Sequence, residues 1–171
     1  VKKPLADAPA TPAAPVRSCV MARPALREKL ASFLKTHGDD LPEAAIKKAT
    51  SPKAIRTWTV YCDDKNEIAA AMRYEHNDWY LCTVKNAAVR PDLRGKGIGS
   101  KLYVDTAAKA HKNPSCLVLA ADVTSTNTPS VKALERAGFT TVNRFCWNKD
   151  EKPADIMHYV KMPAHGTSCK K

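Results

Sequence analysis

The alternation of helix-like and strand-like segments predicts an α/β fold around a mixed, mostly antiparallel sheet, in the order β-αα-βββ-α-β-α-ββ. Three observations carry this. An apolar stripe at helical spacing occupies the N-terminal third. Three β-rich segments, separated by short polar turns, follow it. A glycine-rich turn then leads into a helix, an apolar strand, a second helix and a final pair of strands. The 171 residues suit one domain, and the 44% hydrophobic content can fill one core. Six glycines exclude a collagen-like chain, and no apolar run approaches the ~18–20 residues of a membrane span.

The elements follow in order. A short strand is expected over 18–21. Leu26, Leu30, Phe33 and Leu34 fall on one helical face, and Gly38 is placed to end that helix. Asp40 and Glu43 have the spacing of a capping box for a second, short helix that ends near Thr50, before Pro52. Segments 57–62, 68–74 and 79–89 are rich in β-branched and aromatic residues, or alternate. They read as an antiparallel meander with turns at 63–66 and 76–78. A helix is expected over 99–112, ended by Asn113-Pro114. Segment 116–123 is a nearly continuous apolar run, as in a buried strand. Thr128-Pro129 reads as N-cap and first helical position of another helix, closed by Gly138. Segments 139–147 and 154–162 form the last strand pair.

This assigns residues 17–163 to one domain. Residues 1–16, rich in proline and alanine, read as an extended tail, and 164–171 as a C-terminal tail. The tail lacks the apolar stretch of a signal peptide, and no segment points to a membrane. The six cysteines form no C-x-x-C pair, and several lie in strand-like runs where a thiol acts as a small apolar side chain. Free thiols imply a reducing, intracellular compartment, cytoplasmic or an organelle matrix. Five histidines show no metal-ligand spacing, so no metal is expected. Trp58, Trp79 and Trp147 read as core or groove wall.

Charge is the compositional outlier. Lys and Arg number 28 against 17 Asp and Glu, a net charge of +11. Such a surface favours phosphates, whether in a cofactor, an acidic partner or nucleic acid.

One segment carries the chemistry. Between a strand and a helix stand Val89-Arg-Pro-Asp-Leu-Arg94-Gly95-Lys96-Gly97-Ile98-Gly99. Glycines let the backbone take positive φ and approach a ligand closely. The helix beyond presents unpaired N–H groups and the positive end of its dipole. Arg90, Arg94, Lys96 and Lys101 add cationic side chains, so the segment is suited to a pyrophosphate. Gly97 stands where a Walker A loop needs Ser or Thr, and the glycine spacing is one residue short of the dinucleotide fingerprint.

Arg94-x-x-Gly97-x-Gly99, preceded by Val89-x-Pro91, resembles the acetyl-CoA pyrophosphate loop of the GNAT family of N-acetyltransferases. Asn127, followed by Gly138-Phe139, is similar to a second segment of that family. The resemblance covers about 17–162. Within the family, the run 86–89 and the position of Asp122 resemble the ribosomal-protein alanine acetyltransferase branch. The resemblance implies a GNAT-like fold, acetyl-CoA as co-substrate, and transfer of its acetyl group to a primary amine by direct attack. That amine could belong to a protein N-terminus, a lysine or a small molecule. Main-chain amides from Arg94 through Gly95, Lys96, Gly97 and Ile98 to Gly99 would hold the pyrophosphate. Ala87 and Val89 would pair with the pantetheine arm, and Asn127 would bond it from the other side.

Acetyl transfer also needs a proton acceptor for the amine, a donor for the oxyanion and a partner for the leaving thiolate. Asp122, five residues before Asn127, is the leading proton acceptor, with Glu75 and Asp78 as alternatives. The Val89 amide is the expected oxyanion donor. The family's thiolate-protonating tyrosine falls on Leu134, which cannot donate. Ser130 is the substitute, ahead of Tyr103, Tyr159 or water. This departure, and the 11 basic against 5 acidic residues in 1–56, keep a second class open. It is an acetyl-CoA-binding, weakly active or inactive subunit of a larger protein or RNA-containing assembly, docked through its basic surface and N-terminal tail.

Overall fold

The computed structural model describes residues 16–38, 41–149 and 152–163. Within them the order is β1 (Arg17–Ser18), α1 (Arg23–His37), α2 (Glu43–Ala49), β2 (Trp58–Cys62), β3 (Ile68–His76), β4 (Leu81–Val89), α3 (Ile98–Ala110), β5 (Val118–Thr124), α4 (Thr128–Arg136), β6 (Thr140–Lys149) and β7 (Lys152–Lys161). One sheet holds the strands in the order β1-β2-β3-β4-β5-β7-β6, and only β4 and β5 run parallel. The element order is the expected one. The two tails, Asp39 and Asp40 lie outside the described residues, apart from Val16, which packs against the larger core rather than standing clear of it.

Helices cover both faces of the sheet. On one, Leu30, Phe33 and Leu34 of α1 and Ile46 of α2 pack on Trp58, Val60, Ile68 and Ala71. Here the apolar stripe of α1 does what its spacing predicts, and Gly38 caps the helix through an N–H bond to the Leu34 carbonyl. On the other face, Leu102 of α3 and Leu134 of α4 pack with Met72, Leu119, Phe139 and Tyr159. Among the described residues no helix is long and apolar enough to cross a membrane.

Several local expectations are corrected. The first strand lies at Arg17–Ser18, where the chain pairs with Tyr61 and Cys62 of β2. Helix α2 begins at Glu43 with Pro42 as N-cap, so Glu43 is not the third residue of a capping box. Asn127, not Thr128, caps α4: its side-chain oxygen accepts a bond from the Ser130 N–H. Cys19, just after β1, and Cys62, at the end of β2, are joined as a disulfide with their Cα atoms 5.0 Å apart. The reading of the cysteines as free thiols therefore fails for this pair. It stands for Cys82 and Cys116, which are buried and whose thiols burial pushes up in pKa. Trp58 is core and donates to the Ala49 carbonyl, but Trp79 and Trp147 are 73% and 54% exposed. Trp79 sits on the β3–β4 turn and Trp147 on β6, the outermost strand of the sheet.

Candidate active site

Two features of the sheet open a cleft in its middle. Strands β4 and β5 pair only from Leu81↔Val118 to Thr83↔Ala120. Just beyond, β4 carries a bulge: Tyr74 faces Val84 and Arg73 faces Asn86, which leaves Lys85 as the extra residue. A bulge bends its strand and strengthens the local twist. From there β4 leans on β3 alone and β5 leans on β7, so the two parallel strands part.

The parted edge of β4 is polar. The Arg90 N–H donates to the Ala69 carbonyl at 2.9 Å, which fixes the alternation along the antiparallel β3–β4 pair. Ala88 then bonds toward β3, while Ala87 and Val89 sit in non-hydrogen-bonded pairs with Met72 and Ala70. Their N–H and C=O groups face the gap. Arg94 Nε donates to the Val89 carbonyl at 3.1 Å, leaving the Val89 N–H directed at the opening.

The glycine loop closes one end. Gly95 and Gly97 have φ of 75° and 78°, a region unfavourable for other residues, and Gly97 is the N-cap of α3. A Cβ at either glycine would meet nothing within 4 Å, so conformation and not crowding requires them. No side chain caps α3, and its first-turn N–H groups remain available to an anion.

Together these elements line a cleft of about 470 Å³. Ala87, Val89, Arg94, Gly95, Gly97, Ile98, Gly99, Asn127 and Ser130 meet there. Arg94, Lys132 and Arg136 supply positive charge, and among the described residues no carboxylate lines the cleft. Lys132 and Arg136 lie one turn apart on α4, an i, i+4 spacing that the sequence displays but the motif reading passed over. The Asn127 Oδ1 is engaged with Ser130, which leaves its amide NH₂ free to donate to a ligand. Tyr103 also lines the cleft, edge-on to Phe139, and burial holds its hydroxyl at a pKa of about 12. Leu134 is fully buried on the core side of α4 and does not reach the cleft.

Two expected site residues lie elsewhere. Lys96 is in the loop but does not line the cleft. Asp122 sits on β5, two positions past the last β4–β5 pair, at the mouth of the split. There its Oδ1 lies 2.5 Å from Nδ1 of His158, its register partner on β7. Sequence reading set His158 aside, because only strand pairing joins residues 36 positions apart. The alternatives are engaged: Glu75 accepts from Arg73 at 2.7 Å, and Asp78 accepts from the Trp79 N–H. Among the described residues no group of His, Cys, Asp and Glu could hold a metal ion.

Comparison with known proteins agrees with this geometry. The model of the acetyltransferase (GNAT) family matches residues 23–139. No curated protein matches the chain in sequence. Among solved structures, the chain is similar to the polyamine N-acetyltransferase of Drosophila melanogaster, at 14% identity and a TM-score of 0.67, covering 86% of this chain and 100% of that one. It is similar to the Salmonella typhimurium protein yncA, solved with acetyl-CoA, at 15% identity and a TM-score of 0.65, covering 91% and 97%. A GNAT acetyltransferase from Bacillus anthracis matches at 14% identity and a TM-score of 0.64, covering 86% and 93%. With the family match spanning most of the described sheet and helices, and with the fold shared across these structures, the chain belongs to the GNAT family of acetyltransferases.

Proposed function

We propose that the protein transfers the acetyl group of acetyl-CoA to a primary amine by direct attack. The observation that carries this reading is the alignment, in one cleft, of an uncapped helix N-terminus with a free strand edge. The α3 amides and the cations Arg94, Lys132 and Arg136 would hold the pyrophosphate. The N–H and C=O groups of Ala87 and the Val89 carbonyl would pair with the amide groups of pantetheine, with the Asn127 NH₂ opposite. The thioester would then lie between the parted strands, its carbonyl oxygen toward the Val89 N–H, which stabilises the oxyanion as it forms.

The amine reaches the thioester from the β5–β7 side and gives its proton to Asp122, directly or through a water. Ser130, in the first turn of α4 and lining the cleft, hydrogen-bonds the departing sulfur. The acetyl acceptor is an amine of a protein N-terminus, a lysine or a small molecule. The run 86–89 and the Asp122–Asn127 spacing support the ribosomal-protein alanine branch. The Drosophila neighbour, which forms N-acetylagmatine, supports a small amine.

Purified protein, acetyl-CoA and a panel of agmatine, phenethylamine and an alanine-initiated peptide test the reading. Acetylated product and release of free CoA are expected with at least one. Acetyl-CoA binding without transfer to any of them would instead favour an acetyl-CoA-binding subunit of an RNA-containing assembly. The net charge of +11 and the buried Leu134 support that second reading. It expects RNA binding that weakens steeply with salt.

A further inference from the structure

We infer that Arg136 holds the 3′-phosphate of acetyl-CoA and makes the cleft selective for the 3′-phosphorylated cofactor. This rests on the acetyl-CoA reading of the cleft and deepens it, by giving Arg94 and Lys132 to the pyrophosphate and Arg136 to the second phosphate group.

The contact between α3 and α4 sets the order of groups along the cleft. A Cβ on Gly99 would lie 3.6 Å from the Ala133 Cβ, so the first turn of α3 meets the middle of α4. Lys132 stands next to this contact. Asn127 and Arg136 lie on opposite sides of it, about 9 Å and about 4.5 Å away along the helix axis. Asn127, Lys132 and Arg136 all line the cleft. A cofactor with its pantetheine arm at Asn127 and its pyrophosphate at the start of α3 therefore continues toward Arg136. In CoA that continuation is the ribose, whose 3′-phosphate is one sugar beyond the pyrophosphate.

Charge points the same way. A pyrophosphate brings two negative charges, and the start of α3, Arg94 and Lys132 already face it. Arg136 is a further cation in a cleft that, among the described residues, no carboxylate lines. Its spacing from Lys132 is i, i+4, at which like charges repel. Bound phosphates turn that repulsion into attraction. The planar guanidinium can meet two oxygens at once, which suits a terminal phosphate with three free oxygens.

The fold itself makes little use of Arg136. Among the described residues it forms no ion pair. The neighbouring Glu135 accepts from the Tyr159 hydroxyl at 3.4 Å. The carbonyl of Ala137, the C-cap of α4, is already bonded by Lys161. Arg136 is exposed, so its side chain can turn toward a ligand.

Calorimetry with CoA and with 3′-dephospho-CoA tests the assignment. The wild type should bind CoA about 10-fold or more tighter than 3′-dephospho-CoA. Arg136→Gln should lose about that factor for CoA and hold its 3′-dephospho-CoA affinity within about twofold, so that the two ligands become nearly equal. Arg136→Lys keeps the charge without the fork and should fall between. Lys132→Gln should weaken both ligands by a similar factor and keep their ratio. A structural role for Arg136 would also move both ligands alike, and would leave the ratio unchanged. Equal binding of the two ligands by the wild type, an unchanged ratio in Arg136→Gln, or loss of the ratio in Lys132→Gln overturns the proposal alone. Binding of neither ligand by the wild type overturns the acetyl-CoA reading, and this proposal with it.

Discussion

The two sides of the split sheet are built from different materials. The proposed cofactor side is main chain: the free edge of Ala87 and Val89, the two positive-φ glycines and the uncapped start of α3. The proposed acceptor side is side chain: Asp122, held against His158 by strand register. A main-chain site needs glycines at fixed offsets, so it writes a local motif. A side-chain site needs only that two distant strands pair correctly, and that leaves no local mark. The first side is expected to set binding of acetyl-CoA and the second to set rate. The predictions below can break that division.

The largest effect should come from Gly97→Glu. The substitution imposes a side chain on a residue at φ 78° and puts a carboxylate at the positive end of α3. Acetyl-CoA affinity by calorimetry should fall by at least about 100-fold, roughly 2.7 kcal/mol. Gly97→Ala carries the strain, about 1–2 kcal/mol, without the charge and should lose less affinity. Unchanged binding in the Glu variant would remove the pyrophosphate from this loop.

Asp122→Asn probes the other side. It keeps the shape and removes the negative charge that would take the proton. We expect kcat to fall by roughly 10²–10⁴-fold with acetyl-CoA affinity unchanged. A rate held within a few fold across pH would place the proton acceptor elsewhere.

Leu134→Tyr asks whether the family tyrosine can simply be restored. Leu134 is fully enclosed by the core between α4 and the sheet, with no opening toward the cleft. The added ring and hydroxyl should cost about 1–3 kcal/mol in chemical denaturation and give no gain in kcat. A faster enzyme would mean that α4 can turn this position toward the sulfur.

Much of this architecture was legible in the sequence, for reasons that also explain the misses. Leu26, Leu30, Phe33 and Leu34 marked α1 because a helix in one layer of a fold must bury a stripe. The β-rich meander and the glycine loop were visible because both depend on residues close in sequence. Asn127 was recognised by its spacing to Gly138-Phe139, yet its capping bond to Ser130 was assigned to Thr128, since either residue is a good N-cap. What stayed hidden was non-local. The bulge at Lys85, the Cys19–Cys62 bridge and the His158–Asp122 contact all follow from how strands align, and register leaves no trace in composition. The exposure of Trp79 and Trp147 was missed because β-rich context suggests burial, whereas a turn and an edge strand offer none.

The smallest effect concerns what holds the cofactor side in place. Arg90 follows β4 and bonds Asp92 at 2.8 Å and Asp63 of the β2–β3 turn at 2.8 Å, so it ties the entry of the glycine loop to a neighbouring turn. Bonding to Arg90 holds both carboxyls below their ordinary pKa. A depressed folded-state pKa stabilises above the unfolded value, near 4, and that contribution is lost as pH falls through the lowered folded value. Arg90→Gln should therefore lower Tm slightly at pH 7, and the difference from wild type should vanish in acid. These ion pairs are partly open to solvent, so a shift of a few degrees at most is expected, smaller at high salt. The same variant should weaken acetyl-CoA binding modestly, because Arg94 and the loop amides depend on where β4 ends, and should leave kcat at saturating acetyl-CoA unchanged. A loss of kcat with intact acetyl-CoA affinity would show that the loop also governs the acceptor side, and the division between the two sides would fail.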